Sequence, residues 1–157
     1  MISILWLHDF LDGKSPEKNF FIEMNPDADL SEVTRPRSNP LLKEVQTKEG
    51  KKYVWTTFSE DQIDLDFSNP EVLYRMLSVM FFYIQQGVRI IRLDAIAYLW
   101  KKPGTSCVHL PETHQIVRLI RELAELIDPD TIILTETNVP HEENLSYFGD
   151  YNEAHMV

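Results

Sequence analysis

Two short hydrophobic runs in the second half of the chain each close on a carboxylate: Val88-Arg89-Ile90-Ile91-Arg92-Leu93-Asp94 and Thr131-Ile132-Ile133-Leu134-Thr135-Glu136. Their aliphatic, β-branched content predicts two buried strands. Ahead of the first, Val72, Leu73, Met76, Leu77, Met80 and Ile84 recur at three- and four-residue steps, the stripe of an amphipathic helix. Its ends are marked by Asn69 as N-cap, Pro70 at the first helical position, Glu71 in the first turn and Gly87 just past the last turn. A second helix is predicted from about Pro111 to Ile127. Ile116, Leu119, Ile120, Leu123 and Ile127 lie on one face, Arg118, Arg121, Glu122 and Glu125 largely on the other, and Asp128-Pro129 forms the stop. Helix, strand, helix, strand over residues 69–136 is an α/β alternation, which predicts parallel neighbouring strands covered by helices.

The first sixty residues follow a different pattern. Pro16, Pro26, Pro36 and Pro40 punctuate acidic and polar stretches, and Gly13 and Gly50 mark reversals, so this part is expected to be irregular. Two strand candidates stand out, Asn19-Phe20-Phe21-Ile22-Glu23 and Lys52-Tyr53-Val54-Trp55-Thr56-Thr57, with Lys48-Glu49-Gly50-Lys51 as the turn before the second. The expected organisation is an α+β insert subdomain over 1–60 with short antiparallel strands, followed over 61–157 by part of an α/β barrel. A complete eight-stranded barrel typically needs roughly 250 residues, so 157 residues imply a missing remainder.

Composition narrows the partners. With 43% hydrophobic and 25% charged residues the chain has enough apolar content for a real core. A net charge of −10 repels phosphate backbones and anionic lipid, and no basic cluster longer than Lys51-Lys52 or Lys101-Lys102 offsets it. Nucleic acid and membrane are therefore not expected partners. Cys107 stands alone, which precludes an intrachain disulfide and fits a reducing compartment. The apolar opening Met1–Trp6 has no basic n-region and is soon broken by His8-Asp9, and no segment approaches the ~18 apolar residues of a membrane span. The expected location is the cytoplasm, and no cofactor is called for.

Strand periodicity places Arg92 and Asp94 on one face, so a permanent cation beside the carboxylate favours the charged form that a nucleophile needs. Acidic groups at the C-terminal ends of barrel strands sit where such folds keep their chemistry, which makes Asp94 and Glu136 a candidate catalytic pair. A separation of about 5–5.5 Å would suit a retaining glycosidic mechanism. The plain alternative is a structural ion pair at a strand end, and on pattern alone the two stand level. Other constellations point less clearly. His141-Glu142-Glu143-Asn144-Leu145 opens like a zinc-binding helix but has Leu145 in place of the second histidine. Asp61-Gln62-Ile63-Asp64-Leu65-Asp66 lacks the glycine and terminal glutamate of a calcium loop and is expected to be solvated loop charge. Gly104-Thr105-Ser106 is expected to be a plain turn rather than a phosphate cradle. Trp55, Tyr98, Trp100 and Phe148 suit either a sugar face or a core, with Tyr98 and Trp100 favoured for the sugar because they follow Asp94.

The segment Gly87-Val88-Arg89-Ile90-Ile91-Arg92-Leu93-Asp94-Ala95 resembles the strand-four motif of the α-amylase superfamily, where an Arg-x-Asp triplet carries the nucleophile. Its continuation through Tyr98-Leu99-Trp100-Lys101, Gly104-Thr105-Ser106-Cys107 and Leu110-Pro111-Glu112-Thr113-His114 is similar to the sucrose phosphorylase branch. So are Thr135-Glu136-Thr137-Asn138-Val139-Pro140-His141-Glu142-Glu143-Asn144, Ser146-Tyr147-Phe148-Gly149, Glu153-Ala154-His155-Met156-Val157 and the upstream Val54–Phe67. Within that branch the chain looks nearer to the glucosylglycerate and sucrose 6-phosphate phosphorylases than to the enzymes of plain sucrose.

The resemblance covers about residues 12–157, the first eleven standing apart, and implies a partial (β/α)8 barrel of helix, strand four, helix and strand five. It implies Asp94 as nucleophile, Glu136 as acid/base and Arg92 as the group that orients Asp94. Tyr98, Trp100 and His141 become expected substrate contacts, and an α-glucoside and inorganic phosphate the expected small-molecule partners. Such enzymes use a third carboxylate on a later strand, which this chain does not contain. The expected function is therefore that of a fragment of a retaining glucosyl phosphorylase, inactive by itself, with exposed strand edges and helix faces that invite homo-oligomerisation. Two alternatives stay open: a non-catalytic oligomeric module, and a hydrolase or transglucosylase of the same superfamily.

Overall fold

The computed structural model describes residues 2–136 and 145–147. The chain divides into two compact units, one of Met1–Leu73 with Lys101–Cys107, the other of Tyr74–Trp100 with Val108–Val157.

In the first unit, helix α1 (Ile2–Leu11) places Trp6 and Phe10 one turn apart, both buried, against Phe20, Phe21, Val54 and Val72. Trp6 meets Phe20 edge-on with ring centroids 5.3 Å apart, and Phe10 meets Phe21 at 5.0 Å, the tilted arrangement aromatic pairs prefer. Strands β1 (Leu42–Thr47) and β2 (Gly50–Trp55) form an antiparallel hairpin running in register from Leu42↔Trp55 to Thr47↔Gly50. Thr47 fastens its turn: the hydroxyl accepts from the Glu49 amide at 3.1 Å and donates to the Gly50 carbonyl at 2.8 Å. Successive β2 side chains point to opposite faces, so Val54 enters the aromatic cluster while Trp55 enters a second core with Ile22, Val33, Leu41 and Cys107.

Three expectations for this region need correction. The opening is a helix rather than irregular chain; Ile-Ser-Ile-Leu-Trp-Leu is apolar on nearly every side and carries no amphipathic period to read. The predicted strand Asn19–Glu23 is a 3-10 turn (Glu17–Asn19) followed by extended chain that makes only isolated bridges, Phe21↔Leu65 and Glu23↔Val54. Asp64 is not solvated loop charge. Its carboxylate accepts from the Thr57 amide at 3.2 Å and the Thr57 hydroxyl at 2.5 Å, and it pairs at 3.2 Å with Lys101, whose side chain is 4% exposed. Burial pushes the Lys101 ammonium below its usual range, and Asp64 works against that shift.

The second unit holds the predicted α/β alternation. Helix α2 (Pro70–Gln85), which begins in the first unit, is capped by Asn69, whose side-chain Oδ1 accepts from the Glu71 amide at 3.0 Å. Strand β3 (Ile90–Leu93), helix α3 (Pro111–Ile127) and strand β4 (Ile132–Thr135) make a parallel β-α-β unit, registered from Ile90↔Ile132 to Leu93↔Thr135. The buried face of α3 carries Thr113, Ile116, Val117, Ile120 and Ala124. It is turned from the expected stripe: Leu119 and Leu123 are half-buried and Ile127 is 40% exposed. Small Ala124 permits a closer approach than a leucine would, so chain volume as well as hydrophobicity decides which face goes inward. Arg89 pairs with Asp128 across the start of β3 and the end of α3.

The expectation of two buried strands also fails in part. Ile133 is wholly buried, yet the cross-strand partners Ile90 and Ile132 are 58% and 41% exposed. Among the described residues this sheet has two strands, and Ile90 and Ile132 lie uncovered on it. Beyond β3 the backbone turns sharply at Ala95, which has φ +49°, into a 3-10 turn over Ile96–Tyr98.

Two stability changes follow. Asp64→Asn removes the carboxylate that faces the buried Lys101 ammonium and should cost about 3 kcal/mol of unfolding free energy in urea titrations; a loss below about 1 kcal/mol would mean that the pair is not desolvated as described. Ala95→Gly relieves the left-handed conformation and should be neutral to stabilising, by up to about 1 kcal/mol, whereas Ala95→Val should destabilise; the order of their thermal midpoints checks the strain.

Candidate functional site

Side-chain alternation along β3 sends Arg92 one way and Leu93 the other, and the next residue, Asp94, returns to the side of Arg92. Strand pairing continues past the named ends: the Glu136 amide donates to the Leu93 carbonyl at 2.9 Å and the Ile96 amide to the Glu136 carbonyl at 3.3 Å. The register Leu93↔Thr135 therefore advances by one step to set Asp94 beside Glu136.

One guanidinium nitrogen joins the two acids. Arg92 Nη2 lies 3.2 Å from Asp94 Oδ1 and 2.5 Å from Glu136 Oε2. Two contacts of that length to a common atom keep these oxygens closer than the ~6.5 Å at which inverting pairs begin. Arg92 and Asp94 are exposed and Glu136 half-buried, with side-chain accessibilities of 56%, 72% and 34%. Exposed ion pairs contribute at most about 1 kcal/mol. The backbone ladder already holds the strand tips, so a purely structural role explains little of this convergence. A charged fork between two carboxylates on one sheet face can instead orient an attacking carboxylate and a proton donor toward a common substrate.

Two other expected site residues follow Asp94 along the described chain. Tyr98 ends the 3-10 turn after Asp94, and Trp100 follows, its amide donating to the Thr113 hydroxyl at 3.3 Å; both rings are half-buried. His141, together with Phe148 and most of the zinc-like stretch, lies outside the described residues. Trp55 is wholly buried in the first unit, with its indole nitrogen donating to the Thr57 hydroxyl at 3.1 Å, and is core rather than a sugar platform. Gly104-Thr105-Ser106 is a turn, with the Thr105 hydroxyl donating to the Lys102 carbonyl at 2.7 Å. Among the described residues no three His, Cys, Asp or Glu side chains converge as a metal site would require.

Pattern reading passed over one further cluster. Tyr147 is buried, its hydroxyl 2.9 Å from His109 Nδ1 and its ring 4.4 Å from that of His114. Burial, and secondarily the neighbouring His109, hold the His114 imidazole below the usual histidine range. Both motif stretches, Leu110–His114 and Ser146–Gly149, were visible in the sequence, but nothing in their spacing says that the chain folds Tyr147 back onto the two histidines.

Comparison with known proteins gives this geometry a lineage. The chain is 53% identical over 152 residues to a glucosylglycerate phosphorylase of Spirochaeta thermophila and 47% identical over 154 residues to one of Escherichia coli. Each match takes in 97% of this chain but only 26% and 28% of those relatives, so the chain spans about a quarter of their length. The crystal structure of sucrose 6F-phosphate phosphorylase from Thermoanaerobacter thermosaccharolyticum superposes with a TM-score of 0.79 at 27% identity, covering 97% of this chain and 33% of that one. The described helix, strand, helix, strand order is thus part of a (β/α)8 barrel. The likeness also reaches further toward the N-terminus than the motifs alone suggest: the model of the alpha amylase catalytic domain matches residues 3–157, and the chain belongs to that family.

Proposed function

We propose that this chain supplies the nucleophile and the acid/base of a retaining α-glucoside phosphorylase. The observation that carries this reading is the contact of one Arg92 nitrogen with both Asp94 and Glu136 at the C-terminal tips of adjacent parallel strands. Similarity to glucosylglycerate phosphorylases supports the phosphorolytic reaction.

In the first step an Asp94 carboxylate oxygen attacks the anomeric carbon while the bond to the leaving oxygen breaks and Glu136 delivers a proton to that oxygen. Arg92 holds the attacking carboxylate in line and keeps the second carboxyl within a sugar's width. In the second step an oxygen of inorganic phosphate attacks the same carbon and Asp94 departs as carboxylate, while the proton of the hydrogen phosphate passes to Glu136 and restores the acid; two inversions give net retention and an α-glucosyl phosphate. Phosphate is already anionic, so this step needs positioning more than deprotonation. Tyr98 and Trp100, on the loop that leaves Asp94, and His141, after Glu136, are assigned to substrate contact. Two strands cannot close a barrel, so the working unit is assigned to a polypeptide in which further barrel strands surround this segment. A reducing cytoplasm is the compartment that suits it.

Within such a complete barrel, Asp94→Asn should lower kcat/KM for phosphorolysis by about 10^4-fold or more. Glu136→Gln should lose about 10^2- to 10^4-fold on a glucoside with a poor leaving group yet keep most of its rate on α-glucosyl fluoride, whose departure needs no proton. Equal losses on both substrates would remove Glu136 from the acid role, and sugar release undiminished by omitting phosphate would make the enzyme a hydrolase. The 157-residue chain assayed alone is expected to show no phosphate-dependent sugar release; measurable turnover would overturn the requirement for further strands.

A further inference from the structure

We infer that Thr113 is a positioning residue for the turn that carries Tyr98 and Trp100; this rests on the assignment of those two rings to substrate contact. Thr113 lies in the first turn of α3 and is wholly buried. A hydroxyl withdrawn from water needs a hydrogen-bond partner, and helical threonines commonly find theirs in the preceding turn. The Thr113 hydroxyl accepts from an amide thirteen residues earlier in the chain, that of Trp100, at 3.3 Å.

That contact completes a run of backbone bonds along the turn. The Ile96 amide is held by the Glu136 carbonyl at 3.3 Å, and the Tyr98 and Leu99 amides close the 3-10 turn onto the Ala95 and Ile96 carbonyls, both at 3.1 Å. Thr113 takes the next amide along. On the other side of Tyr98, the Ala97 carbonyl accepts from the His109 amide at 3.1 Å. His109 holds φ +54° there, a region in which non-glycine residues persist only when their surroundings dictate it. The chain entering α3 thus grips the turn on both sides of Tyr98 and Leu99. Ile96 and Ala97 are buried, whereas Tyr98 and Trp100 stay half-buried. A bond as long as 3.3 Å adds little to folding. Its effect is to select one backbone direction at Trp100, and contacts to a substrate depend on placement to within about 1 Å.

Thr113→Val deletes the hydroxyl and keeps the shape, while Thr113→Ser keeps the hydroxyl and deletes a buried methyl. A role in packing alone makes the two variants alike; positioning separates them. In the 157-residue chain labelled with 15N at tryptophan, the Trp100 backbone signal is assigned by Trp100→Phe. Thr113→Val is expected to move the Trp100 amide proton upfield and Thr113→Ser to leave it in place, with both thermal midpoints lowered by less than about 5 °C. In a complete barrel, Thr113→Val should raise KM for the glucoside about 10-fold with kcat within about twofold, the mark of binding lost equally from ground and transition states. Thr113→Ser should keep both constants. A Trp100 amide that does not respond to Thr113→Val overturns the inference, as do equal KM values in the two variants or a fall in kcat at constant KM. A Thr113→Val chain that no longer folds would make the residue a fold determinant and overturn it too. If instead Tyr98→Ala and Trp100→Ala leave KM unchanged, the assignment of those rings to substrate fails, and a responsive Trp100 amide would still establish the hold of Thr113 on the turn.

Discussion

The parallel register between β3 and β4 is the constraint on which the candidate site depends. It begins before the strands, where the Ile132 amide donates to the Arg89 carbonyl at 2.7 Å, and runs past them to the bonds that bracket Glu136. A slip of one residue would turn Glu136 to the opposite face and leave Asp94 facing a threonine or the chain beyond. Backbone hydrogen bonds thus bring the two acids together, and these bonds do not depend on side-chain charge. The elements around the ladder protect its register. Helix α3 buries Ile116, Val117 and Ile120 between the two strands in sequence, and the Arg89–Asp128 pair joins the start of one strand to the end of the helix that leads into the other.

On that platform Arg92 acts locally. Two carboxylates set side by side repel each other, and a guanidinium between them lowers the cost of their proximity while fixing direction through its planar donors. Because Arg92 and Asp94 are exposed, the contribution to folding is small; what the arrangement secures is orientation. The buried pair of Lys101 and Asp64 makes the contrast. Withdrawn from water and joined by Thr57, it resembles a structural network, and it involves none of the residues assigned to chemistry.

Legibility in the sequence followed the strength of each local signal. Helix α2 was readable to its ends because a cap, an N-terminal proline and a terminal glycine agree with its stripe, and α3 because Pro111 and Pro129 bound it. The strand tips and their acids were readable because a hydrophobic run ending in a charge is a compact pattern. Helix α1 was hidden by uniform apolarity. Strand β1 was hidden by its polar residues: Lys43, Glu44 and Gln46 give little alternation, and the hairpin partner makes it a strand. Phe20–Glu23 has strand composition but lacks a continuous partner. Asp64 and Tyr147 depend on contacts with residues far along the chain, Lys101 and His109, which no window of neighbouring residues contains.

The two ends of the β3–β4 pair face different physical demands. At the C-terminal tips the acids, the Arg92 fork and the left-handed Ala95 gather polar and strained features that a stability-driven fold has little reason to collect. At the opposite end Ile90 and Ile132, paired across the sheet, present apolar surface without cover among the described residues. The proposed glycosyl transfer through a carboxylate needs a site that excludes water, since water would compete with phosphate for the covalent intermediate. With Asp94 72% exposed, this segment by itself does not exclude water. The relatives it matches are about four times as long as this chain. Under the proposed function, packing and chemistry call for the same further strands, and the geometry of the acids is what this stretch of chain would contribute.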